Sequence, residues 1–176
     1  TGTFARLLAA RAGSVLGLDF SPEMIARARA RSAGQANITY EVADVRTWPW
    51  PAASFDCIAS IATLHHLPLA ETLGQMAGTL RPGGVLLVLD LYQAATPADF
   101  VVSGLVVPVS FALRLLRNRR LHDPLPVREA WAAHGPHDHY LTLTEVRRVV
   151  RDLLPGAHVR RHLFYRYSLI WRKPDA

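Results

Sequence analysis

The sequence predicts an α/β domain: a doubly wound, mostly parallel sheet that ends in an antiparallel hairpin. Three observations carry this. Apolar runs without polar alternation recur at VLGLD, FDCIASIA and VLLVLDLY, as strands covered on both faces do. Helically spaced stretches separate them, the connection that parallel strands need. Near the end, HVRRHLF and YRYSLIWR follow too closely for a crossover helix and so pair antiparallel.

The elements follow in order. Thr3 to Ala12 has helical spacing of Phe4, Leu7 and Leu8, with Gly13 placed to stop it. SVLGLD is a short strand ending at Asp19. Ser21-Pro22-Glu23 opens a helix: Ser21 caps, Pro22 tolerates the first position and Glu23 complements the dipole. That helix runs to about Ala33 and ends at Gly34, and ITYEV (38–42) is the next strand. FDCIASIA (55–62) reads as buried on both faces. A helix from Leu69 to Leu80 ends at Pro82-Gly83-Gly84, before VLLVLDLY (85–92). Residues 93–140 form a proline-interrupted insertion; Thr142 and Glu145 then make a capping box for a helix to about Leu154.

With 176 residues, half of them hydrophobic, the chain suits one domain: a cofactor-binding half (1–92), an insertion (93–140) and a terminal helix and hairpin (141–176). The single cysteine, Cys57, excludes an internal disulfide framework and fits a reducing cytoplasm, and no signal peptide opens the sequence. Phe100–Leu113 is too short to cross a bilayer. Residues 1–91 balance seven basic against seven acidic side chains; residues 92–176 carry thirteen against seven, nearly all arginine. That excess means anion binding or simply base composition.

Ligands of open α/β sheets bind at the carboxyl ends of strands, which singles out three places. Asp19 follows its strand directly, seventeen residues after Gly2. It either takes both hydroxyls of a ribose or caps the Ser21 turn. Asp44 either accepts from the exocyclic amine of adenine, with the Val45 amide at the ring, or is a solvated turn residue. His65 and His66 sit just past a strand, where one or both face the cleft mouth as general base or as pocket lining.

These segments resemble the class I S-adenosylmethionine-dependent methyltransferases of the small-molecule type. The carriers are TG (1–2), VLGLDFSPEM (15–24), ADV (43–45), FDCIASIATLHHL (55–67) and LRPGG with VLLVLDLY (80–92). The resemblance implies a Rossmann-like fold, S-adenosyl-L-methionine as cofactor and a small-molecule acceptor. It makes Gly2 the last glycine of the cofactor turn and Asp19 the ribose ligand. Phe20 and Met24 then contact adenine, Asp44 and Val45 meet its amine and ring edge, and Ile61 lines the methionine end. LRPGG is a structural turn in this pattern. Family members place a central strand and opening glycines ahead of the first residue here. The expectation is therefore a truncated chain that binds cofactor weakly when expressed alone.

The insertion offers a pocket wall or lid at FVVSGLVVPVSFALRLL (100–116), followed by Arg114, Arg117, Arg119 and Arg120, and a membrane-surface contact is a further reading of it. Trp131, His134, His137, His139 and Tyr140 are candidate pocket residues, and no metal is expected at HGPHDH. A nicotinamide-dependent oxidoreductase is the rival reading, but with Lys173 the only lysine no Tyr-x-x-x-Lys pair exists. A nucleic-acid module lacks an aromatic stacking stripe; an RNA-directed methyltransferase stays open.

Overall fold

The computed structural model describes residues 2–101, 104 and 140–175. The chain divides into two compact units, Thr1–Pro49 and Trp50–Ala176, each with its own core.

The first unit contains α1 (Thr3–Ala9), β1 (Val15–Asp19), α2 (Pro22–Arg31) and β2 (Ile38–Val42). β1 and β2 pair in parallel from Val15 opposite Ile38 to Asp19 opposite Val42. α2 starts as expected, with the Ser21 hydroxyl accepting the Met24 N–H at 3.3 Å. α1 is shorter than its apolar spacing suggested and Gly13 does not stop it. The Asn37 amide donates to the carbonyls of Ala9 at 2.9 Å and Ala12 at 3.1 Å, satisfying the chain where the helix gives out. Ile25, Ala28 and Tyr40 form the core.

The second unit contains β3 (Phe55–Ile61), a 3-10 turn (Leu64–His66), α3 (Leu69–Thr79), β4 (Leu80–Leu91), α4 (Leu143–Leu153), β5 (His158–His162) and β6 (Arg166–Arg172). The sheet order is β3-β4-β6-β5, with β3 and β4 parallel and β6 antiparallel to both its neighbours. The capping box at Thr142 and Glu145 forms with both reciprocal bonds.

Two expectations fail here. Pro82-Gly83-Gly84 does not separate helix from strand, because α3 ends at Thr79 and β4 already begins at Leu80. The segment instead loops out of register: Phe55 faces Leu80, yet Cys57 faces Val85. Glycine suits that bulge because Gly83 has φ of 73° and a Cβ on Gly84 would lie 2.8 Å from the Arg81 carbonyl. Nor are β3 and β4 buried on both faces. β3 buries only Ser60, and β4 alternates from Leu86 to Leu91, with Leu86, Val88 and Asp90 inside. The buried side faces α3 and α4, whose Leu73, Met76, Val146 and Val150 share one core with Tyr167, Leu169 and Trp171.

Long-range polar ties hold this unit. Lys173 Nζ donates to the carbonyls of Ala77 at 2.8 Å and Leu80 at 2.7 Å, closing the carboxyl end of α3. Arg161 of β5 pairs with the buried Asp99 at 3.1 Å. Burial alone raises the Asp99 pKa, but hydrogen bonds from Thr96 and Ala95 and the Arg161 charge bring it down to about 2.

Candidate active site

In the first unit, Asp19 and Phe20 stand at the end of β1, Asp44 and Val45 follow β2, Gly2 heads α1 and Met24 lies on the first turn of α2. Gly2 caps α1 with φ of 70°, and a Cβ there would lie 2.5 Å from the Tyr40 hydroxyl. The need for glycine thus comes from a left-handed turn pressed against Tyr40. Asp19 Oδ1 accepts the Ser21 N–H at 2.9 Å, so the capping role is real. Its Oδ2 takes no hydrogen bond from any described residue, which leaves one oxygen for a ligand. Phe20 follows, 72% exposed, with Met24 half-buried on the first turn of α2.

Asp44 lies two residues beyond the Val42 that faces Asp19, at the same sheet end. Its carboxylate is held by Arg46, through the backbone N–H at 3.0 Å, Nε at 3.0 Å and Nη2 at 2.6 Å. The Arg46 side-chain bonds, with its backbone bond next, lower the Asp44 pKa below the ordinary carboxylate value. Val45 follows, half-buried.

The second unit places Ile61 at the end of β3 and His65 and His66 beyond it. Ile61 is 42% exposed at the strand end, and Ala62 after it has φ of 50°. The two histidines divide. His66 is exposed, while the His65 side chain is only 6% exposed and turns inward. His65 Nδ1 lies 2.6 Å from Asp90 Oδ1. Asp90 also accepts the N–H groups of Thr63 at 3.2 Å, Leu64 at 2.5 Å and Leu91 at 2.6 Å. Three backbone N–H groups and the His65 ring thus converge on its two oxygens. The His65 ring stacks on Tyr140, with centroids 5.1 Å apart and 15° between planes, and lies 3.9 Å from the His66 ring. Tyr167, opposite Asp90, has its phenol pKa raised by burial and by that charge.

Asp90 is the residue that sequence reasoning passed over. Its one signal was a carboxylate inside an otherwise apolar strand, VLLVLDLY. A buried acid there demands partners. Trp131, His134, His137 and His139, and the arginines at 114–120, lie outside the described residues. Among the described residues, no three His, Cys, Asp or Glu side chains are placed to hold a metal ion, and no helix is long and apolar enough to cross a membrane.

The profile of the "Methyltransferase domain" family matches residues 1–84. An uncharacterized methyltransferase of Mycobacterium tuberculosis is 35% identical over 176 residues, spanning 98% of this chain and 83% of that protein. The chain belongs to the methyltransferase family. Solved structures agree on the fold. A Mesorhizobium loti S-adenosylmethionine-dependent methyltransferase superposes with a TM-score of 0.66 at 20% identity, covering 98% of this chain and 86% of that one. The Bradyrhizobium japonicum N-methyltransferase NodS, solved with S-adenosyl-L-homocysteine, gives 0.63 at 16% identity, covering 99% and 74%. In this methyltransferase, β6 sits between β4 and β5 and runs antiparallel to both.

Proposed function

We propose that this methyltransferase moves a methyl group from S-adenosyl-L-methionine to a small-molecule acceptor. The observation that carries it is Asp19, a strand-end carboxylate with one oxygen committed to its own turn and the other open, beside an exposed aromatic ring. That donor set fits an adenosyl group: Oδ2 accepts a ribose hydroxyl and Phe20 and Met24 cover adenine. Asp44 accepts from the exocyclic amine once the Arg46 side chain gives up one of the bonds it makes to both carboxylate oxygens, and the Val45 backbone meets the ring edge. Gly2 keeps the turn before α1 close to the ligand.

When bound, the cofactor supplies an activated methyl on a sulfonium, so the chain's own task is alignment. Positioning of this kind is worth about 7–11 kcal/mol at its upper limit. His66, exposed beyond β3, takes the acceptor proton. His65 is a positioning residue: clamped by Asp90, it fixes the 3-10 turn and so the place of its neighbour.

Incubating the full-length protein with methyl-labelled S-adenosylmethionine and a size-fractionated cell extract tests this reading. Label in the low-mass fraction, lost with Asp19→Ala, is expected. Label confined to RNA or protein contradicts the small-molecule assignment.

A further inference from the structure

The β5–β6 turn holds two side chains in a backbone conformation they disfavour. Phe164 and Tyr165 have φ of 61° and 54°. Left-handed residues in a tight strand connection are normally Asn or Gly, and bulky L-residues there are strained. The strain is not spent on burial, because Leu163, Phe164 and Tyr165 are 49%, 41% and 41% exposed. Among the described residues four non-glycines have positive φ: Ala53, Ala62, Phe164 and Tyr165. All but Ala53 stand at the carboxyl end of β3 and β4. Strain gathered at one end of a sheet, beside a candidate site, points to function.

The backbone fixes this tip next to the chemistry. The Tyr165 carbonyl accepts the Tyr92 N–H at 2.9 Å, and the two rings lie 6.5 Å apart. Asp90, which clamps His65, faces Tyr167 in the next strand. Tyr165 precedes Tyr167 by two residues, at the turn that leads into β6. Tyr140 stacks on His65 within the same unit. Tyr140 on His65, and Tyr92 with Tyr165 beyond β4, thus put aromatic rings at the same end of this sheet as the histidine pair.

Resting on the methyltransferase reading above, we infer that Phe164 and Tyr165 form the wall that selects the acceptor. The acceptor is a flat aromatic or conjugated ring bearing the hydroxyl to be methylated. Aromatic side chains hold such rings offset or edge-to-face, and small-molecule pockets are lined by apolar and aromatic groups with few polar ones. A compact, highly charged acid gains nothing from three exposed apolar side chains. In the transfer, the acceptor oxygen bonds the methyl carbon, the carbon–sulfur pair returns to sulfur and the hydroxyl proton passes to the His66 imidazole.

The test uses the full-length protein, S-adenosylhomocysteine, and 1-naphthol as probe, whose own fluorescence reports binding. The double variant Phe164→Asn with Tyr165→Gly relieves the strain while removing both rings. The parent is expected to bind the naphthol and the variant to bind it about tenfold or more weakly, the loss expected for two aromatic contacts. The variant's thermal midpoint should be equal or higher, and its affinity for S-adenosylhomocysteine within about twofold. Equal naphthol affinity in the variant overturns the inference, as does a parent that binds S-adenosylhomocysteine but no naphthol. A variant that loses thermal stability together with binding marks the turn as packing and overturns it too. A parent that does not bind S-adenosylhomocysteine defeats the methyltransferase reading itself.

Discussion

Asp19 in the first unit and Asp90 in the second use their carboxylates in opposite ways. In the first, Asp19 and Asp44 stand at strand ends and take backbone N–H groups only two residues on, from Ser21 and Arg46. In the second, Asp90 is 1% exposed and binds Thr63, Leu64 and His65, at least 25 residues away. A local turn holds its carboxylate and still leaves an oxygen to offer, as Asp19 does. A buried carboxylate met by three backbone N–H groups and an imidazole has nothing left for a ligand, and its work is to hold other groups in place. The difference separates residues that bind from residues that position.

Replacing Asp90 by alanine tests that division most severely. It strands three backbone N–H groups and the His65 ring, and should cost about 3–5 kcal/mol by urea unfolding, against at most about 1 kcal/mol for Asp19→Ala. Equal costs would erase the contrast.

Next in size is an acid effect on the second unit. Asp99 falls from an ordinary 3.8 to about 2 in the folded state. A depressed carboxylate stabilises fully above its unfolded pKa, so its contribution, at most about 2 kcal/mol, should vanish as pH falls from about 4 to about 2. Asp99→Asn should flatten the pH dependence of the urea midpoint across that window. Lys173→Ala removes a charged donor from two carbonyls at the end of α3 and should cost about 1–2 kcal/mol, read from the same unfolding curve. The smallest change belongs to the first unit. Arg46→Ala should raise the Asp44 pKa back toward the ordinary carboxylate range, followed by carbon-13 NMR of the carboxyl, with the unfolding midpoint unmoved.

What was legible in the sequence tracks the same division. The Ser21 cap, the Thr142–Glu145 box and the closing hairpin rest on neighbours a few residues apart, and all three formed as expected. Asp19 and Asp44 were found because strand ends can be located from local patterns. The Asp90–His65 pair, the Lys173 closure of α3 and the Asn37 closure of α1 join distant stretches, and no local spacing announces them. The burial of β3 was misjudged for a related reason. An apolar run says that a strand can be covered on both faces, whereas the cover itself depends on what packs there. The histidine pair was found but not resolved, since only the fold shows that one ring turns inward and the other outward.

The most direct measurement is calorimetric titration of S-adenosylhomocysteine into the full-length protein and its Asp19→Ala variant. Loss of a charged hydrogen-bond acceptor should weaken binding by about ten- to a hundredfold, while the unfolding midpoint stays close to the parent's. An unchanged affinity in a folded variant would contradict the assignment of the open Asp19 oxygen to the ribose, and with it the reading of this site.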